Sequence, residues 1–179
     1  MLEEQDQIEM LRLARATLES YLSNGTTPRY QTTRQALVAR AAAFVSLHHG
    51  EELRGCIGQL LPDRELHRVI QHCAISAATE DMRFLPVTAA ELPQLNIEIS
   101  VLTPFRRLRE KEEIEIGKHG LYVIRGPHHG LLLPQVATQY KWDPDTFLAQ
   151  TCRKAGLPAD AWKDPGTTIQ VFEAQVFSE

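Results

Sequence analysis

Two spacings of apolar residues alternate along the chain and divide it into elements. Over residues 3–23, Ile8, Leu11, Ala14, Leu18, Tyr21 and Leu22 recur every three or four positions, which gives a helix one apolar face. Asn24-Gly25, with Pro28 just beyond, is a stop signal. Residues 26–35 are polar and predict a surface connection. Ala42–Leu47 and Leu53–Leu60 predict two strands, with His48-His49-Gly50-Glu51-Glu52 as the hairpin loop. Gly55 and Gly58 weaken the second strand, and a glycine inside a strand marks a bulge or a close approach of another group.

A second helix is predicted from Asp63 or Arg64 to about Asp81, with Asp63 as its cap. Leu66, Val69, Ile70, Cys73, Ala74 and Ala77 form its apolar stripe, and His67 and His72 fall on its surface. Thr88-Ala-Ala-Glu91 has capping-box spacing, but Pro93 ends any helix there. Asn96–Leu102 alternates cleanly: Ile97, Ile99 and Val101 point one way, Asn96, Glu98 and Ser100 the other. Leu121–Arg125 and Leu131–Leu133 predict a second hairpin around Gly126-Pro127-His128-His129-Gly130. Pro134 stops that ladder, and Gln135 is placed to present an amide or cap the next segment. Asp143-Pro144 opens a helix that runs to about Ala155, with Gly156 closing it. Thr168–Phe177 predicts a last strand. This order is that of an α+β protein with a largely antiparallel sheet and flanking helices. Residues 104–119 are the best candidate for a hinge within one domain spanning 1–179.

Composition narrows the function classes. A net charge of −4 argues against a nucleic-acid binder, which shows a basic stripe. The densest basic run, Arg106, Arg107 and Arg109, is followed at once by Glu110, Glu112, Glu113 and Glu115, the pattern of a solvated connection. Three scattered cysteines, Cys56, Cys73 and Cys152, form neither a disulfide framework nor a zinc motif. The acidic, amphipathic start lacks an apolar signal core, and no apolar run approaches a membrane span. A reducing cytoplasm is the expected setting. The seven histidines form no HxH or HExxH pattern, so no metal is expected. No phosphate loop, dinucleotide fingerprint or nucleophile elbow is present, and no cofactor is expected.

Candidate chemistry concentrates in Leu53-Arg54-Gly55-Cys56-Ile57-Gly58. Strand alternation puts Arg54 and Cys56 on one face. A guanidinium beside a thiol favours the thiolate, the form that makes a cysteine nucleophilic or redox-sensitive. The two glycines would let a ligand or a backbone come close. The alternative is a cysteine that only packs. If strand 96–102 adjoins with matching faces, Glu98 and Ser100 share the patch, and Glu98 orients Arg54 or acts as a general base. Among the histidines, His119 is the best candidate for acid–base work with Cys56. His48-His49 and His128-His129 read as solvated loop residues. Asp81 and Arg83 predict a local ion pair.

LRGCIG at 53–58 resembles the signature of the AMMECR-one domain family, whose bacterial and archaeal members are called AmmeMemoRadiSam system protein A. The resemblance runs from about residue 10 to 177. AAFVSLHHGEELRGCIGQL, AISAATEDMRF, LNIEISVLTP, GKHGLYVIRG, GLLLPQVATQYKWD, FLAQTCRKAGLPADAW and IQVFEAQVF are similar to the family's blocks, in its order. Met82 stands where many relatives have proline, and Ala43 where they have glycine. The resemblance implies a compact α+β fold with a smaller lobe and a cleft near the signature. It also implies two companions, a Memo-type protein and a radical SAM protein. Family activity is undefined, with an enzymatic role suspected from the signature's arginine and cysteine. Two functions stay open: an enzyme or small-molecule-binding component with a reactive Cys56, and a non-catalytic adaptor that docks a companion.

Overall fold

The structure is a computed structural model that describes residues 2–179. Helix α1 (Glu4–Asn24) and a one-turn α2 (Gln35–Val38) precede a hairpin of β1 (Ala42–His49) and β2 (Glu52–Gln59). Helix α3 (Leu66–Thr79) and β3 (Asn96–Leu102) follow. Then come β4 (Arg106–Arg107), β5 (His119–Arg125), β6 (His128–Leu132), α4 (Pro134–Gln139), α5 (Pro144–Lys154) and β7 (Thr168–Ser178). Helices accompany an antiparallel sheet, so the fold class is α+β.

The chain divides into two compact units, residues 1–101 with 175–179, and residues 102–174. In the first, β1 lies between β2 and β3, which leaves β2 at the edge. Ala43, Val45 and Leu47 of β1, with Ile97 and Ile99 of β3, are buried in one core with Met10, Leu13, Leu18, Val69, Ile70 and Cys73 of α1 and α3. The alternation of β3 therefore holds as the sequence predicts. The buried stripe of α1 is rotated from the predicted one: Met10, Leu13, Ala14, Thr17 and Leu18 turn inward, while Ile8 is exposed. Arg15 reaches from α1 to the carbonyls of Leu92 and Leu95, at 2.9 and 2.6 Å, and to the Glu179 carboxylate.

In the second unit, β5 pairs with β6 on one side and β7 on the other, and β4 also pairs with β7. Phe147 and Leu148 of α5 pack with Leu121, Leu132 and Val171. The Asp143 carboxylate accepts from Thr146 N–H at 2.7 Å, the cap that the Asp-Pro pair predicts. Trp142 and Trp162 are only half-buried at the margins of this packing.

Several local expectations change. His48 and His49 belong to β1 and His128 and His129 to β6, because both turns are two residues long, Gly50-Glu51 and Gly126-Pro127. Helix α3 starts at Leu66, with Glu65 rather than Asp63 at the cap position, because Leu66 N–H is taken by the Ala39 carbonyl at 2.9 Å. His67 is thereby drawn inward and is 6% exposed instead of on the helix surface. Helices α2 and α4 are too short to show a periodic stripe.

Candidate functional site

The signature hexapeptide is almost the whole of β2, and packing explains most of it. A Cβ at Gly55 would lie 2.1 Å from the Ala77 carbonyl oxygen of α3, so only glycine lets helix and strand come this close. A Cβ at Gly58 would meet the Phe44 ring at 2.2 Å. Ile57 opposes Val45 and packs against the core. Both glycines thus admit parts of the protein itself, a helix backbone and an aromatic ring.

The other face of the hairpin carries the polar groups. Directly opposed residues of an antiparallel pair share a face. Cys56 opposes Ser46, and the buried Ser46 hydroxyl donates to Cys56 Sγ at 3.2 Å. The register slips between Leu47 and His48, so His48 opposes Leu53 and Arg54 becomes the extra residue of a bulge. Arg54 therefore leaves the simple alternation. His48 lies two residues beyond Ser46 and is the diagonal neighbour of Cys56 on that face. Its Nε2 is buried with no hydrogen-bond partner among the described residues.

The segment after α3 covers the free edge of β2. Asp81 accepts from Cys56 N–H at 2.9 Å and from Arg83 Nε and Nη2 at 2.9 and 2.7 Å. The predicted Asp81–Arg83 pair thus also closes an edge-strand donor. Hydrogen bonding from Arg83, opposed by burial, holds the Asp81 carboxyl well below the usual carboxylate range. The same hydrogen bond raises Arg83, burial opposes it, and the charges of Asp81 and of the Cys56 sulfur add to it. Thr88 Oγ1 accepts from Glu91 N–H at 3.3 Å, one half of the capping box that the spacing suggests, while the Glu91 side chain grips Arg54 through both oxygens, at 2.6 and 3.2 Å. Phe84 lies beneath two guanidiniums, with Arg83 5.3 Å and Arg54 6.0 Å from its ring centre. Beside it, Met82 and Leu85 are 99% and 83% exposed.

Glu98 and Ser100 point away from the α-helical core, as Ser46 does, but β1 separates β3 from β2. Two strand spacings, about 10 Å, therefore separate the strand of Glu98 from that of Cys56. His119 opens β5 in the second unit, and its Nδ1 accepts from Glu115 N–H at 3.1 Å. Cys56 is half-buried, whereas Cys73 and Cys152 are fully buried, and no disulfide joins them. Burial pushes the Cys73 thiol up to about 12 and raises that of Cys152. Among the described residues, no cluster of three or more histidine, cysteine or acidic side chains could hold a metal. Among them, too, no helix is long and apolar enough to cross a membrane.

The AMMECR1 family model matches residues 11–177. The chain belongs to the AMMECR1 family. A Methanopyrus kandleri protein is 44% identical over 95% of this chain and 86% of its own length. A Methanocaldococcus jannaschii protein is 41% identical over 94% of this chain and 88% of its own. The crystal structure of an uncharacterized protein from Pyrococcus horikoshii superposes with a TM-score of 0.95 at 37% identity, over 99% of this chain and 93% of that one. The α+β fold is therefore that of the AMMECR1 family. None of these names states an activity.

Two site residues had no signal in the sequence. Ser46 sits in the apolar run AAFVSL, and only strand pairing places it against the sulfur. His48 read as a loop residue because the turn is shorter than the polar stretch around it.

Proposed function

We propose that this AMMECR1-family chain is a ligand-binding or catalytic component whose reactive centre is Cys56. The observation that carries the reading is the Ser46 hydroxyl donating to a half-buried Cys56 Sγ. A donor aimed at sulfur favours the charged, nucleophilic form. The electrostatic coupling of that sulfur to the Arg83 guanidinium acts in the same direction, and the Asp81 carboxylate opposes it. Arg54, gripped by Glu91, serves as a tie that holds the 81–91 segment over the cysteine. His48 shares the face of Cys56 beside it and is assigned to proton transfer, whereas Glu98 lies on that face two strands away and is given no step. His119 is committed through Nδ1 to its own turn and is assigned to that turn. No metal or cofactor enters this reading, and the expected setting is the reducing cytoplasm. The test is the rate at which iodoacetamide alkylates Cys56 in the parent and in Ser46→Ala. The variant is expected to slow alkylation about tenfold at pH 7, one hydrogen bond to a charged group being worth about 1.5 kcal/mol. An unchanged rate would remove the hydroxyl from the mechanism.

A second reading is favoured by Met82 and Leu85, two large apolar side chains held in water beside Arg54 and Arg83. In it the 81–91 segment and β2 form a docking surface for a Memo-type or radical SAM companion protein, and Cys56 is an interface residue. Capture of those two companions by Met82→Ser/Leu85→Ser and by Cys56→Ser separates the readings. Docking predicts loss with the first variant and retention with the second. Retention by both would set docking aside.

A further inference from the structure

Arg106, Arg107 and Arg109 line an open hollow of about 1000 Å³ in the second unit, with Leu108, Glu110 and Glu113 among its other walls. That volume lies at the upper end of small-molecule sites. Its charges are unevenly matched, three guanidiniums against two carboxylates. Glu113 is committed to the loop itself. One of its oxygens pairs with Arg106, and the other accepts from the N–H groups of Arg109 and Glu110, each at 3.0 Å. Arg106 first, then those two N–H groups, hold the Glu113 carboxyl down to about 2. The Glu110 side chain in turn accepts from the Glu113 N–H. Arg107 and Arg109 are exposed, and among the described residues neither guanidinium makes an ion pair or a hydrogen bond.

The backbone fixes where these two side chains stand. Arg107 opposes Gln170 of β7, and the next residue, Leu108, donates its N–H to the Ile169 carbonyl at 2.9 Å. Leu108 packs against the core of the unit, so alternation turns Arg107 and Arg109 the other way, with their Cα atoms about 7 Å apart. Both are carried on a segment tied to β7 along one edge and to Glu113 along the other before any ligand arrives. Arginine stays charged across the working pH range, so no choice of protonation state enters. Two like charges on one side of a strand repel each other unless an anion lies between them. A guanidinium grips two oxygens at once, so a carboxylate satisfies one of them, whereas a phosphoryl group with three terminal oxygens bridges two. Its two negative charges also match the pair.

We propose that Arg107 and Arg109 form a binding site for a phosphoryl dianion, either free phosphate or the head of a phosphomonoester. The proposal is independent of the Cys56 chemistry. The test follows the side-chain Nε–H resonances of 15N-arginine-labelled protein at fixed ionic strength and pH 8, where the probes are dianions. Inorganic phosphate and phenyl phosphate are those probes, with the monoanions dimethyl phosphate and acetate as controls. The dianions should shift Arg107 and Arg109 saturably and bind at least tenfold more tightly than the monoanions. Tighter binding of phenyl phosphate assigns the site to a monoester, and equal or tighter binding of inorganic phosphate to the free ion. Arg107→Gln and Arg109→Gln should each weaken the dianions at least tenfold. Arg153→Gln, which removes the same charge from the exposed side of α5, should leave them unchanged. All three positions are exposed, so the fold tolerates the substitutions. A response that never saturates, equal binding of the monoanions, or equal losses from all three variants would each overturn the proposal.

Discussion

The two faces of strand β2 have opposite characters. Toward α3, Gly55 and Ile57 meet a dry core, in which Cys73 is fully buried and has a thiol pushed up to about 12. On the opposite face, Cys56 is half-buried and meets a hydroxyl donor from Ser46, with His48 beside it. The same residue type is a packing element in one place and a chemical group in the other. The density of unusual residues in LRGCIG is thus not by itself a sign of function. Two glycines and an isoleucine are accounted for by packing, and the arginine by a tie to Glu91. Leu53 opposes His48, and the cysteine is the residue whose side chain meets a hydroxyl donor.

The largest effect should come from the packed face. Gly55→Ala puts a carbon against a backbone carbonyl that cannot rotate away, and should cost at least about 3 kcal/mol in urea unfolding. A near-neutral result would mean that strand and helix are not held this close. Next comes the loop that roofs the polar edge. Asp81→Asn should cost about 1–2 kcal/mol near neutral pH, through the lost charge on Arg83 and a weaker acceptor for Cys56 N–H. The pH dependence follows from the sign of the shift. The folded-state value of Asp81 lies below its ordinary 3.8, so its contribution is complete above that pH and is lost as pH falls below it. The parent should therefore lose more stability than Asp81→Asn on going from pH 5 to pH 2.5; parallel curves would contradict the assignment. Smaller still is Glu91→Gln, expected at about 1 kcal/mol, because both partners of the Arg54 pair are partly exposed.

How much of this the sequence showed depends on the range of the interactions involved. Strand β3 and helix α5 are legible because alternation and an Asp-Pro cap are local signals. The face assignment of Ile97 and Glu98 was legible for the same reason. The bulge at Arg54 was not, since it exists only relative to β1. Helix α3 starts late, and His67 turns inward, because a carbonyl 27 positions earlier in the chain, that of Ala39, takes the Leu66 N–H. Glu91 and Ser46 acquired roles only from partners 37 and 10 residues away. The candidate site was thus visible as a motif, and its working partners were not.

The contrast between the two faces is tested most directly by peptide-resolved alkylation of the native protein at pH 7, with rates read separately for the three cysteines. At a thiol value near 12, about one Cys73 side chain in 10⁵ is ionised, and that side chain is shut from water as well. Cys56 should therefore react at least about a thousandfold faster than Cys73, and far ahead of Cys152. Equal, slow modification of all three would contradict a reactive centre at Cys56.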